Sequence, residues 1–581
     1  MQDVSELDSS LSFQRLNDSI LCDSVSFASR SMSPYADGPM SNSDTAVITT
    51  PHRPRRKFWL PLHNEATEML SKFASDVYPY VPIIHRPSLP VLIDDMYQAL
   101  SRGSDPHVGA VLLLLSICTS ACYTWTLQDD YRGIYCDPIE ATKQSTLWLR
   151  AALDLVDHCD RIGHTSLECL QGMVVLFWVL CSAEGVSMRA RSLAAGCISM
   201  AQSLGIHRID QHVNSLGNRD ELFTVVEAEM SRRVWWFLVA SNWMHSQFSL
   251  LHGKLYNNFL ASLMVRRPCN IDDDMLNGQE PVSLPSDTAT SVSYLLQRIR
   301  LEEICHDISD ASGSMLIRND AEYNRILEID KRLQKFEREL PPFFAANKLQ
   351  GDALSDRGQR YRQAVSTQRF LLNFVLHRQR CQMHLPYFIK GITEPKFETS
   401  HNACVESASI IIHLEQQLRG ESLPFATVRR RMNIKLRSIF VATIILVLSA
   451  CVEADQDASN GRQELDQVFT LLSEIGEEAP FAARLRDFAL EMLTRNQPAH
   501  PVLSRVPCLS ATGIHALTPA TALLAVETQD EESGVNGGVA LNLNNEDGNN
   551  DLDLQWDAIL NQIGLGPDIW RAPTWMRETQ M

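Results

Sequence analysis

The stretch Glu229-Met230-Ser231-Arg232-Arg233-Val234-Trp235-Trp236-Phe237-Leu238-Val239-Ala240-Ser241-Asn242-Trp243 decides how the rest of the chain is read. Trp236, Val239, Ala240, Trp243 and Gln247 recur at helical spacing, and Val234, Phe237, Leu238 and Ser241 form a second stripe beside them. Neighbouring side chains on an α-helix point about 100° apart. Trp235 and Trp236 are therefore buried together only if other elements cover two sides of the helix. The spacing predicts a central helix, beginning near Asp220, inside a larger helical body. Glu229 and Arg233 stand four apart in the favourable order, either as a solvated salt bridge or as an internal strut, with Arg232 free to take another partner.

Working outward, the texture is helical on both sides. Residues 91–212 give about four apolar blocks, punctuated at Gly103 to Pro106, Asp129 to Pro138, Gly163 and Gly185. Beyond a polar linker at 283–292, further helices are predicted through Leu295 and Ile304, through Tyr323 to Phe336, and near 361–384, 402–418 and 432–452. Strand-like alternation is scarce, so the fold class is all-α. Four segments result: a flexible tail at 1–57, a first helical half at 58–282, a second at 283–500, and a polar, acidic tail at 501–581.

Composition restricts what such a body can do. Apolar residues make up 45% of the chain and charged residues 21%, as in a folded globular protein. The formal net charge of -18 works against broad phosphate binding, which depends on Lys and Arg releasing counterions. The 14 cysteines are spread through apolar helices and include no Cys-x-x-Cys pair; Cys118 and Cys122, one turn apart, read as core fillers. The apolar runs 108–122 and 439–452 fall short of the ~20 residues a bilayer requires and read as core helices, so no membrane partner is expected.

The sequence holds no Gly-x-Ser-x-Gly, no Gly-x-x-x-x-Gly-Lys and no His-Glu-x-x-His. Asp272-Asp273-Asp274 raises the alternative of an all-α, metal-dependent enzyme of the terpene synthase kind, but Met275 and Leu276 follow and the one-faced Asp-Asp-x-x-Asp spacing fails. No catalytic residue, metal site or cofactor is expected.

Several segments resemble the regulatory domain, or middle homology region, of fungal zinc binuclear cluster transcription factors. Leu60-Pro61 and Val81-Pro82-Ile83-Ile84-His85-Arg86-Pro87-Ser88 are similar to its opening. Ala201-Gln202-Ser203-Leu204-Gly205-Ile206-His207-Arg208 is similar to its "A-x-x-L-G-L-H-R". Glu229, Arg232, Arg233, Trp235 and Trp236 fit its "E-x-x-R-R-V-W-W" helix, and Pro268, Asn270, Asp272 and Asp273 its "P-x-N-I-D-D". Leu340-Pro341-Pro342 and His384-Leu385-Pro386-Tyr387 add a thinner likeness. The resemblance implies a nuclear regulator of transcription, and control of a specialised-metabolite gene cluster is the kind of role many relatives have. An interaction-only co-regulator is the alternative.

Two departures stand out. The residues before Phe58 hold only Cys22, where the family carries six cysteines, so DNA is expected to be reached through a dimer partner or through a module outside the gene model. Gly253-Lys254-Leu255 replaces the family's "G-R-P".

Physically, Gly205 reads as a helix C-terminus with His207 and Arg208 as cations at its negative end, while Asn270 and the acidic run can cap the next helix.

Each tail carries a candidate. Arg53, Arg55, Arg56 and Lys57 read either as a nuclear-import signal or as a solvated linker. From 526 to 581, eleven acidic residues oppose only Arg571 and Arg577. Within that segment Trp556, Ile559, Leu560 and Ile563 form one short apolar stripe, suited either to docking on a coactivator or to packing back on the body.

Overall fold

In the computed structural model the described residues are 24–32, 47–50, 53–185, 187–211, 224–246, 265–311, 320–345, 359–388, 390–420, 433–452, 465–473, 486–487 and 489–490. They form an all-α body with one small sheet at its N-terminal edge.

Punctuation in the sequence places the helices of the first half. α1 (His63–Asp76) is followed by the bend at 77–88 and by α2 (Leu89–Ser101). α3 (Val108–Tyr123) is buried on every side, and Ser116, Thr119 and Ser120 satisfy their hydroxyls on carbonyls of their own helix, so they cost little there. α4 (Pro138–Ile162) starts at Asp137, whose carboxylate accepts from the Ile139 amide at 2.8 Å, and stops at Gly163 with φ 64°. α5 (Leu167–Glu184) and α6 (Met188–Ser203) are capped by Ser166 and Ser187. The central helix, α7 (Val225–Ser246), begins five residues later than the apolar pattern suggested. Thr224 and Glu227 there form a reciprocal capping box, Thr224 N donating to Glu227 Oε2 (2.8 Å) and Glu227 N to Thr224 Oγ1 (3.2 Å).

The second half comprises α8 (Ser293–Ala311), α9 (Asp320–Arg338), α10 (Gln359–Phe388), α11 (Lys390–Thr393), α12 (Glu398–Gly420) and α13 (Asn433–Val452), with helical residues 465–473 beyond. α10 packs along α12, α12 along α13, and α8 against α7. The two halves touch through this α7–α8 pair and through α13 on α5 and α10 on α1. One contiguous apolar core runs from Met32 and Phe58 to Leu490. Among the described residues α5 is the one helix long and apolar enough to cross a membrane by length and composition; it is mostly buried between α3, α6, α7 and α13.

The sheet is what the sequence reading did not anticipate. β1 (Ser24–Ser29) pairs in parallel with β3 (Arg53–Leu60), and β2 (Val47–Thr50) pairs antiparallel on its other side. The basic run, read as tail or linker, therefore lies in the central strand. Phe58 and Leu60 are buried, and the Phe27 and Phe58 rings stack with centroids 5.9 Å apart. Glu65 of α1 fastens this edge by accepting from the amides of Met32 and Leu62 and from the Ser31 hydroxyl. Trp556, Ile559, Leu560 and Ile563 lie outside the described residues, as does Gly253-Lys254-Leu255.

Candidate functional site

Most of the motif residues meet at one place, a buried ionic lock. Arg233 is fully buried in α7; its Nη1 donates to Asp273 Oδ1 at 2.6 Å, its Nε to Glu229 Oε1 at 3.4 Å and its Nη2 to the Ile271 carbonyl at 3.3 Å. Of the two readings of the Glu229–Arg233 pair, the internal strut is the one realised. Asp273, equally buried, accepts at Oδ2 from the Tyr78 hydroxyl (2.6 Å), the Arg86 amide (3.2 Å) and Arg86 Nε (3.3 Å). Burial alone would raise the Asp273 carboxyl, but Arg233 and the Tyr78 hydrogen bond outweigh it and hold the group below the usual range. Burial first, and then the Asp273 charge, push the Tyr78 phenol well above its ordinary value. Three segments far apart in sequence are thus held at one charge-balanced point: the bend at 78–86, α7, and the segment 269–273.

A second tier adjoins it. Arg232 takes Asp210 as its partner (2.8 Å), and Asp210 also accepts from the Arg266 amide and Nε at 2.8 and 2.9 Å. Trp236, buried as the helical stripe required, donates its indole N–H to the Arg266 carbonyl at 2.9 Å; Trp235 is buried on the adjacent side with His207 tilted toward it. Pro268, between Arg266 and Cys269 in sequence, is buried. Leu204 and Gly205 (φ 72°) close α6 as expected.

Two capping expectations are corrected. Asn270 and Asp272 do not cap the short 3₁₀ turn Asp273–Met275. Asn270 Nδ2 instead donates to the carbonyls of Pro285 (2.8 Å) and Thr288 (3.0 Å), its Oδ1 accepts from Thr290 and Ser293, and Asp272 accepts from the Ser291 amide, so this pair organises the linker into α8. His207 is not a cation at the helix end. Partial burial and the neighbouring Arg208 push its imidazole below the usual value.

A triad-like chain occurs in the second half. His384 Nδ1 lies 2.9 Å from Ser400 Oγ, and Nε2 lies 3.4 Å from Asp330 Oδ1. All three side chains are buried, Ser400 donates to the Tyr323 hydroxyl, and Asp330 is paired with Arg380 at 2.7 Å. Against burial, His384 and Arg380 hold the Asp330 carboxyl down to about 2. The arrangement supports packing beneath Tyr323, Tyr387 and Phe397 and offers a substrate no path to the hydroxyl.

Sequence reasoning missed a cavity of ≈ 110 Å³ between the two halves, walled by Tyr80, Trp178, Phe237, Phe374, Arg298 and Arg378, among others. Its lining comes from five helices and the bend, none more than a few residues from each, so no local motif marks it.

Residues 70–340 match the model of the "Fungal specific transcription factor domain". That span contains the whole lock. The chain is 30% identical to "Probable transcription factor lepB" of Aspergillus flavus over 468 residues, covering 79% of this chain and 82% of that one. It is 26% identical to "Transcription factor TAS2" of Pyricularia oryzae and 24% identical to "Agnestins biosynthesis cluster transcription factor AgnL11" of Paecilomyces divaricatus, spanning 59% and 60% of their lengths. A lock assembled from motif residues inside the matched span, and an alignment along four fifths of a relative, place this chain in the fungal-specific transcription factor family, as a regulator of transcription.

Proposed function

We propose that this chain acts in the nucleus, without catalysing a reaction, to control the genes of a specialised biosynthetic cluster. The observation that carries this reading is the alignment along most of lepB, and the likeness to AgnL11, a biosynthesis cluster transcription factor, supports the choice of target. The helical body serves as the control domain. Its net charge of -18 disfavours direct DNA binding, so the duplex is reached through a family member that carries a zinc cluster, or through a module joined to this chain. Arg53, Arg55, Arg56 and Lys57 serve import, and the stripe Trp556, Ile559, Leu560 and Ile563 docks the acidic tail on a coactivator of the transcription machinery.

Deleting the gene and sequencing the transcripts tests the reading. A contiguous block of biosynthetic genes is expected to change together, and an unaltered transcript profile would reject it. Residues 526–581 fused to an unrelated DNA-binding domain should activate a reporter, and Trp556→Ala with Ile559→Ala should silence it.

A further inference from the structure

We infer that the cavity between the two helical halves is a binding site for a small, flat carboxylic acid, with its ring among the aromatic walls and its carboxylate on Arg298. The inference is independent of the gene-cluster reading and concerns binding alone.

Arg298, on α8, lines the cavity. It is 6% exposed, yet among the described residues no carboxylate lies within salt-bridge distance of it; its partners are the Ser241 hydroxyl at 2.7 Å and the face of Phe237, whose ring centroid is 4.8 Å away. A hydroxyl and a ring stabilise a guanidinium only in part, and a buried cation without a counter-ion is costly. Arg378 reaches the same cavity from α10. Glu302, one turn along α8 from Arg298, is an acidic side chain on which both arginines act. It is fully buried, and burial pushes its carboxyl up to about 7 despite both arginines, so near neutral pH it offsets only part of their charge. The Arg298 guanidinium therefore lines the chamber with no carboxylate of the described residues in contact with it.

Its remaining surface is mostly apolar and rich in aromatic rings. Tyr80 and Trp178 stack at 5.7 Å with planes 17° apart, and Phe237 and Phe374 complete walls that suit an unsaturated ring better than a branched aliphatic chain. A guanidinium can hold both oxygens of a carboxylate at once, which fixes orientation as well as charge. Because Tyr80, Trp178 and Phe237 belong to the first half and Arg298, Phe374 and Arg378 to the second, an occupant would tie the halves together.

The test uses the purified full chain with 2-naphthoate, 2-naphthylmethanol and inorganic phosphate as probes, read by calorimetric titration and thermal unfolding. Naphthoate should saturate one site per chain and raise the melting temperature. The uncharged alcohol and phosphate should each bind at least tenfold more weakly. Arg298→Met should reduce naphthoate binding to the level of the alcohol. Met244→Trp, at a half-buried wall position, should block both organic probes while both arginines stay in place. No saturable naphthoate binding by the folded wild type, equal binding of the alcohol, phosphate binding as tightly as naphthoate, or an unchanged affinity in a folded Met244→Trp protein would each overturn the assignment.

Discussion

Arg233 and Arg298 are both buried arginines on helices that pack together, and they are solvated by the protein in opposite ways. Arg233 meets two carboxylates and a carbonyl, so its charge is balanced internally and nothing is left to offer a ligand. Arg298 meets a hydroxyl and a ring at the wall of a cavity. The difference separates two uses of the same residue: a cation completed by its own chain holds the fold, and a cation left incomplete by the described residues invites a partner.

The largest expected effect breaks the balanced side. Asp273→Ala strands Arg233 and removes the acceptor of Tyr78 and Arg86, and should cost roughly 5 kcal/mol in chemical denaturation, the upper range for breaking a buried ion pair. A loss below about 1 kcal/mol would show that the lock contributes little. Trp236→Ala should follow at roughly 4 kcal/mol, from the cavity left in the core and the orphaned Arg266 carbonyl; an unchanged melting temperature would mark Trp236 as a contact surface.

Around the cavity the expected effects are smaller and depend on pH. The Glu302 carboxyl is raised in the folded state, so its stabilising contribution is fully present below its ordinary value of 4.5 and is lost as pH rises through about 7. The gap in stability between wild type and Glu302→Gln should therefore move by roughly 3 kcal/mol between pH 4.5 and about pH 8, in favour of the glutamine at high pH. A gap that stays constant would mean Glu302 titrates normally. Smallest of all, Arg298→Met should change stability by no more than about 1 kcal/mol in either direction, because the incomplete cation it removes is replaced by apolar volume. A loss as large as that of Asp273→Ala would erase the contrast between the two arginines.

What the sequence displays is unevenly divided between these regions. The Trp helix, its two-sided burial and the Glu229–Arg233 pair are legible because periodicity and i, i+4 spacing are local. That Asp273 is the partner of Arg233 is not, since an acidic run next to a loop fits capping or solvation as well as an internal ion pair. The strands were hidden for a similar reason: Val25 with Phe27, and Phe58 with Leu60, alternate for only a few residues each, and only their pairing reveals a sheet. Arg298 lies in Gln297-Arg298-Ile299-Arg300, where an arginine reads as an ordinary surface residue. Nothing in its neighbours distinguishes it from Arg300, which pairs with Glu339 at 3.1 Å near the surface.

The reach of the lock bears on how the protein is made. Tyr78 and Asp273 are 195 residues apart, and Gln368 Nε2 binds the Pro79 carbonyl across 289. At ribosomal speeds of roughly 5 to 20 residues per second, the bend at 77–84 waits on the order of ten to forty seconds before the residue that secures it has been synthesised. During that interval Val77, Tyr78, Val81 and Ile83, all buried in the finished fold, rest on first-half contacts such as Gln171 Nε2 on the Ile83 carbonyl and lack the Asp273 anchor. Newborn chains should therefore engage a holding chaperone through this segment, and slowing translation before codon 273 should lengthen that engagement.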